Sequence, residues 1–182
     1  MAVLFITPEK ITKATPLGGN VDTDKYKYLV KDAQVMHIEP ILGTKLYEKL
    51  EEYFRNNTLS GLYLQLVDDY IEPILIHMSF AEYVAIGAYR VQNGGLYKHL
   101  PENAESMSLE EINQLGKNQR AKADVYIERL NRFLCDKGNE IPEYTQAQDE
   151  DYDQKPNRND NYTGGLYFGA SKELPWWLVE TD

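Results

Sequence analysis

The longest apolar pattern in the chain runs from Leu62 to Val91, where hydrophobic residues recur at steps of three and four. This spacing predicts a helix with one continuous apolar stripe. From Ile74 onward, apolar residues fall on the other faces too, which is typical of a helix in the middle of a bundle. Pro73 has no backbone N–H and clashes with the preceding turn, so a kink or a restart is expected there. The stripe consists of Leu62, Leu66, Tyr70, Ile74, Met78, Ala81, Ala85, Ala88 and Tyr89.

Charged residues within this stretch argue against a membrane span. Glu72, His77, Glu82 and Arg90 interrupt every window of about twenty residues, which is the length that a spanning helix requires. The N-terminus, MAVLFITPEK, has a short apolar run but lacks the basic region and the cleavage site of a signal peptide. We therefore expect the long helix to form the core of a soluble protein that has no membrane partner.

Cap and turn residues divide the part before this helix into three short helices. The first is predicted over residues 8–14, with Thr7 as its N-cap and Pro8 in its first turn. The second is closed by Gly43, and the third is capped by Thr44. The other predicted caps and stops are Asp22 or Asp24, Pro40, and Asn56 with Asn57. The predicted inward faces are Tyr28, Leu29, Ala33, Met36 and His37, then Leu46, Tyr47, Leu50, Tyr53 and Phe54.

Beyond the long helix, Asn93 and Gly94 indicate a tight turn, and residues 96–100 are predicted to be extended. A capping box then begins the last long helix, because Ser108 and Glu111 stand three residues apart. The residues expected to face inward on this helix are Ile112, Leu115, Ala123, Ile127, Leu130 and Leu134, and Gly138 with Asn139 is its predicted end. The cations expected to face outward are Lys117, Arg120, Lys122, Arg129 and Arg132.

The formal net charge of −10 narrows the classes of partner. A sequence-independent DNA binder must neutralise phosphates with Lys and Arg, so the charge argues against that class. Cys135 is the only cysteine, which excludes an intrachain disulfide and a cysteine-based zinc cluster. Fourteen tyrosines exceed what a core of this size requires, and tyrosine in polar surroundings is typical of protein–protein contact surfaces.

The composition changes after Tyr144, and we divide the chain there into a helical domain, residues 1–144, and an extended docking arm, residues 145–182. The first part of the arm has almost no aliphatic residue, so it cannot bury enough surface to fold alone. Aromatic residues then return, and residues 163–170 are the best candidate for a strand added to a partner's sheet. The anchors predicted to dock on a partner are Tyr162, Leu166, Tyr167, Phe168, Trp176 and Trp177.

Side chains that could carry chemistry do not form a known motif. The chain has no phosphate-binding glycine loop, no nucleophile elbow and no zinc-protease motif. Asp68 and Asp69 are adjacent on a helix and diverge by about 100°, which favours a charged surface over an acid–base pair. The acidic run 149–153 lacks the glycine and the closing glutamate of a calcium loop. Structural roles are favoured for His37, His77 and His99, and a solvated face or an acidic protein neighbour for Lys117, Arg120 and Lys122.

Five stretches of packing and turn residues point to a known family when they are taken in order. They are TPLGGNVD at 15–22, HIEPILGTKLY at 37–47, YIEPIL at 70–75, ADVYIERL at 123–130 and IPEY at 141–144. Together they resemble the head–tail connector (adaptor, neck ring) proteins of tailed bacteriophages, most of all those of crAss-like phages of gut Bacteroidetes. The resemblance covers about residues 5–144 and contains no catalytic signature.

This resemblance implies an all-α fold: a small helical bundle around a long central helix, with an extended C-terminal arm that adds one short strand to a partner. It also implies a structural function without catalysis, cofactor or metal. Such proteins form a homo-oligomeric ring of twelve copies at the portal–tail junction of the virion, after assembly in the bacterial host cytoplasm. The ring binds the portal protein and further tail or ring proteins, and DNA passes through it without specific binding because acidic walls repel phosphates. The expected channel or ring-contact loop contains Gly94, Gly95, Tyr97 and Lys98.

Three other functions stay open at this point. The chain could be another virion part, such as a head-completion stopper or a tail adaptor one ring lower. It could instead be a cytosolic helical protein-interaction module that is monomeric or dimeric. An enzyme would need a pocket in which Asp68, Glu72, Glu82 or a histidine converge with shifted pKa values.

Overall fold

A computed structural model describes residues 3–15, 23–87, 89–92, 95–98, 108–145 and 154–156. Within these residues the fold is an all-α bundle, as the sequence predicts, with one short β-hairpin. The α-helices are α1 Pro8–Ala14, α2 Thr23–Ala33, α3 Glu39–Leu42, α4 Thr44–Asn56, α5 Gly61–Leu66, α6 Glu72–Gly87, α7 Leu109–Lys137 and α8 Pro142–Thr145. The strands are β1 Tyr89–Gln92 and β2 Gly95–Lys98, and a 3₁₀ turn covers Gly138–Glu140.

Two prolines mark the places where helices of the bundle contain a π turn. Pro40 and Pro73 stand at the same position in two nearly identical stretches, HIEPIL at 37–42 and YIEPIL at 70–75. Each proline follows a π-helical turn, the first at Gln34–Ile38 and the second at Val67–Ile71. A proline cannot donate to the carbonyl four residues back and crowds it, so the helix widens before the proline instead of stopping. The interruption expected at Pro73 takes the form of a π turn inside a continuous helix. Pro40 likewise lies inside a continued helix and does not close it.

Caps begin and end the helices largely as predicted. The Thr7 side chain accepts from the backbone of Lys10, and the capping box of Ser108 and Glu111 is complete. Asn57 ends α4 with φ of 53° in the left-handed region. Two predicted caps are wrong. Thr44 is the first helical residue of α4, after Gly43 at the N-cap, and Asp24 lies inside α2.

The inward face predicted for α2 is partly wrong. Leu29 and Ala33 are buried, but Tyr28 and Met36 are 48% and 63% exposed. The buried positions are Tyr26, Leu29, Val30 and Ala33, which follow steps of three and four that begin two residues earlier than Tyr28. Asp22, the alternative cap of this helix, lies outside the described residues.

Helix α6 lies at the centre and packs against both α2 and α7. The inward faces of α4 and α7 are confirmed, since Leu46, Leu50, Leu130 and Leu134 are fully or almost fully buried. Within the stripe of the long helix, Leu66, Ile74, Met78 and Ala81 are buried and Tyr70 is partly buried, but the burial does not continue to the predicted end. Ala85 is exposed, and the helix ends at Gly87, so Tyr89 and Val91 belong to β1.

A buried amide fixes the N-terminal segment onto this core. Phe5 is fully buried and stacks on Phe54 with ring centroids 5.1 Å apart. Gln34, also fully buried, accepts from the Phe5 backbone N–H at 2.8 Å and donates to the Val3 carbonyl at 3.2 Å and to the Tyr47 hydroxyl at 3.1 Å. Residues 3–6 of the apolar N-terminal run therefore lie in or against the core.

Two alanine substitutions, at Gly116 in α7 and at Gly138 in the 3₁₀ turn after it, are expected to change stability in opposite directions. A Cβ on Gly116 would meet the Ala81 carbonyl at an ordinary 3.7 Å, so Gly116→Ala should stabilise the helix by up to about 1 kcal/mol. A Cβ on Gly138 would lie 2.8 Å from the Tyr144 ring, so Gly138→Ala should cost about 1–3 kcal/mol. Urea denaturation of both variants measures the difference, and equal midpoints would contradict the packing of α8 against the 3₁₀ turn.

Replacing Gln34 by Leu should destabilise the protein by about 2–3 kcal/mol, because the buried Phe5 N–H would lose its acceptor. Gln114→Leu is the matched control. Gln114 is exposed and its side chain bonds Asn118 on the same helix, so its loss should change stability by less than about 0.5 kcal/mol. Thermal or chemical unfolding compares the two, and a Gln34→Leu protein as stable as the control would refute the role given to this amide.

Candidate docking site

The residues predicted to contact partners fall into two groups in the structure. The arm anchors Tyr162, Leu166, Tyr167, Phe168, Trp176 and Trp177 lie outside the described residues, as does Gly94. Gly95, Tyr97 and Lys98 do not form the loop that the sequence predicts, since all three belong to β2. The extended conformation expected from residue 96 onward is thus confirmed up to Lys98.

Strands β1 and β2 pair antiparallel, with Tyr89 opposite Lys98 and Gln92 opposite Gly95. Two residues connect the strands, which is the length of the tightest hairpins. No third strand joins this pair within the part of the chain that the structure describes. The backbone edges of the hairpin are therefore candidate sites for main-chain pairing with another strand.

The described part of the arm contacts the chain's own bundle at the corner between α3 and α4. The Thr44 N–H donates to the Gln154 carbonyl at 2.9 Å, and the Gln154 N–H donates to the Thr44 Oγ1 at 3.1 Å. Thr44 Oγ1 also donates to Glu39 Oε1 at 3.4 Å. The sequence predicted Thr44 only as a helix cap and gave no sign that a residue 110 positions later would bind it.

Pro156 completes this contact by lying against Gly43. Gly43 has φ of 77° and ψ of 154°, a conformation that side chains strongly disfavour. A Cβ at this position would also lie 2.6 Å from Pro156 Cδ. We call the surface formed by Glu39, Gly43 and Thr44 the tail seat, because it holds residues 154–156.

A second candidate surface is an apolar face on α2 and the first π turn. Tyr28, Asp32 and Met36 follow one another at steps of four, and Val35 is seven residues from Tyr28, so the four lie on one side of the helix. Tyr28, Val35 and Met36 are 48%, 42% and 63% exposed, and Asp32 is exposed among them. We call this group the α2 face. The sequence predicted Tyr28 and Met36 as core residues and therefore missed it.

The polar residues considered as candidates for catalysis lie in separate contacts. Asp68 and Asp69 are both exposed, as expected for a charged surface. Glu72 pairs with Lys10, at 2.5 Å from its Nζ. The Glu82 carboxylate does approach His37, at 3.8 Å from Nε2.

The contacts of His37 and His77 support the structural roles that the sequence favours for them. His77 Nδ1 lies 2.9 Å from the Gln119 side-chain oxygen, and its ring stacks on Tyr126. His37 is partly buried beside Glu82, while His99 lies outside the described residues. Among the residues that the structure describes, no three His, Cys, Asp or Glu side chains are grouped to hold a metal ion.

Most of the described tyrosines pack in or against the core, and the contact role expected from the total number stays a prediction. Tyr26, Tyr47 and Tyr144 are buried. Burial raises the pKa of the Tyr26 hydroxyl. Burial, and then a 2.6 Å hydrogen bond to the Glu143 carboxylate, raise the pKa of the Tyr63 hydroxyl. Tyr28 remains as the exposed example on a described helix.

The predicted outward cations of α7 are exposed, including Lys117, Arg120 and Lys122 near its N-terminal half. Farther along α7, Arg129 lies over the rings of Tyr70 and Tyr126, at 5.7 and 5.4 Å from their centroids. Lys117, Arg120 and Lys122 therefore form a positive region on the surface of α7, although the protein as a whole is acidic.

The chain can be assigned to one protein family. Residues 38–168 match a family described as "Family of unknown function (DUF6712)". This match covers well over half of the chain, so the protein belongs to that family, and both halves of the tail seat contact lie within it. No curated protein matches the chain, and neither does any solved structure. None of the described helices is both long and apolar enough to cross a membrane.

Proposed function

We propose that the protein is a structural subunit of a ring at the portal–tail junction of a tailed-phage virion. In this function it extends the DNA channel and binds the portal protein on one side and further tail or ring proteins on the other. It is assembled in the host cytoplasm and acts without catalysis or a cofactor. The ring of twelve copies, like the rest of the assignment, comes from the sequence resemblance.

The α2 face is the observation that carries this proposal. Apolar side chains that are half exposed on one side of a helix favour a protein contact when they form a patch. Met36 is the most exposed of them at 63%, and the face belongs to a helix that packs directly on α6. A patch on a rigid helix suits a contact that must repeat with the same geometry around an axis.

A ring requires a head-to-tail contact, in which one surface meets a different surface of the next copy. The exposed cations Lys117, Arg120 and Lys122 on α7 offer a positive counterpart to Asp32, which lies within the α2 face. Such opposite charges orient neighbouring copies, although each exposed pair adds little to stability. We therefore assign the α2 face to contact with a second copy.

The net charge of −10 fits a channel wall. DNA that must slide through a ring is not retained by a surface that lacks a net positive charge, because phosphate binding depends on neutralising cations. The aromatic arm anchors supply the complementary function of attachment. Large aromatic side chains such as Trp176 and Trp177 dominate many protein interfaces.

Replacing Val35 by Glu should prevent oligomer formation while the bundle remains folded, because Val35 is already 42% exposed. Leu64→Glu is the matched control, since Leu64 is 40% exposed on α5, away from the α2 face. Sedimentation and negative-stain images, with and without portal protein, measure assembly. A wild-type protein that stays monomeric or dimeric in all mixtures would favour the cytosolic interaction module instead.

Replacing Trp176 and Trp177 together by Ala should weaken binding to the portal ring by about 2–4 kcal/mol, as loss of interface anchors does. Helix content and melting temperature should hardly change. Tyr152→Ala is the control within the same arm, because Tyr152 is not one of the predicted anchors. Binding to isolated portal and tail proteins is compared, and preferential loss of tail binding would indicate a position one ring lower.

A further inference from the structure

Helix α4 begins without a cap of its own. The N-cap residue is Gly43, which has no side chain to accept from the first-turn N–H groups. In α1 and α7 this function belongs to Thr7 and Ser108. The first-turn N–H of Thr44 is instead bound by the backbone carbonyl of Gln154, from the C-terminal part of the chain. The tail thus supplies an acceptor for one first-turn N–H of α4, at the first helical position, whereas Thr7 and Ser108 bind the N–H of the third position of their helices.

We propose that the tail seat is a docking site for the chain's own tail, which binds residues 154–156 through backbone hydrogen bonds and a proline contact and fixes the position from which the chain continues beyond Pro156. The tail is recognised in two ways. Hydrogen bonds run in both directions between Thr44 and Gln154, and the Pro156 ring packs on the bare backbone of Gly43. The first is independent of the tail's side chains, and the second requires a glycine in the seat.

The length of the connecting chain agrees with docking within one molecule. Helix α8 packs on α4, where Glu143 lies near Lys49, and it ends at Thr145. The distance along α4 from Lys49 back to Thr44 is about 8 Å at 1.5 Å per helical residue. Eight residues lie between Thr145 and Gln154, and the nine steps along the chain can span about 30 Å. The tail therefore reaches the seat without the help of a neighbouring copy.

This inference does not require the ring assignment. Only one part rests on the proposed function, namely that the arm anchors bind a partner from this fixed position. Docking of residues 154–156 on the tail seat occurs within one chain and is tested on that chain. Its failure and the failure of the ring assignment therefore give different experimental results. A seated tail in a monomeric protein would support the former and refute the latter.

Amide hydrogen exchange on the full-length protein tests the docking directly. In the wild-type protein, the Thr44 and Gln154 amides should both be protected. Thr44→Val removes the Oγ1 acceptor and should speed exchange of the Gln154 amide by about fivefold or more. Thr12→Val is the control, because the Thr12 hydroxyl bonds Glu9 within α1, and it should leave Gln154 unchanged.

Gly43→Ala tests the packing half of the contact. Its Cβ would collide with Pro156, so both amides should lose most of their protection. Gly61→Ala is the matched control, since Gly61 also has positive φ, at 58°, but has open space around its Cβ position. Slow exchange of Leu130 in every variant verifies that the bundle is folded. A Gln154 amide that exchanges freely in the wild-type protein, or is insensitive to Gly43→Ala, would overturn the proposal.

Spin labels test whether the position from which the chain continues beyond Pro156 is fixed. Cys135 is exposed and is the only cysteine, so it accepts one label, and Asn157→Cys supplies the second site. The expected result is one narrow distance distribution, which broadens when Gly43→Ala is added and stays narrow with Gly61→Ala. A broad distribution in the protein with native Gly43 would show that the tail is not held.

Discussion

The missing N–H groups of Pro40 and Pro73 are the constraint on which the rest of this bundle depends. Each proline widens the helix before it into a π turn, and the helix then continues. The first π turn begins at Gln34, whose buried amide binds the N-terminal segment, and it also carries the exposed residues Val35 and Met36. The α-helical steps of four and seven residues that lead into this turn place Val35 and Met36 on the side of Tyr28. One short segment therefore carries both a core contact and part of the α2 face.

The contact made by Gln34 shows why such a core is specific. A buried amide is costly unless its polar atoms are bonded, and here its oxygen and nitrogen both have partners. The same amide would be unsatisfied in a slipped packing of the N-terminal segment, whereas apolar residues such as Phe5 tolerate small shifts. The hydrophobic contacts supply most of the stability, and the amide selects one arrangement.

Features governed by neighbours in sequence could be predicted, and features governed by distant residues could not. The bounds of α1, the capping box of α7 and the inward leucines of α4 and α7 follow from local spacing. The face of α2 was misjudged because Tyr28 and Met36 are apolar enough for a core, and the pattern does not reveal that Tyr26 and Val30 occupy it. The tail seat could not be foreseen, since Gly43 and Pro156 each have an ordinary local explanation as turn residues. Their pairing exists only after folding.

The tail seat also differs from the core in how firmly it holds. Two backbone-based hydrogen bonds and one ring contact contribute at most a few kcal/mol in total. The seat can therefore open while the buried contacts of α6 and α7 remain intact, since regions held by few contacts open at lower free energy than the whole domain. A partner that binds the arm needs to overcome only this local free energy to draw out more of the tail. Under the proposed function, the seat would keep the start of the arm at one place on the bundle while the arm anchors bind a second protein.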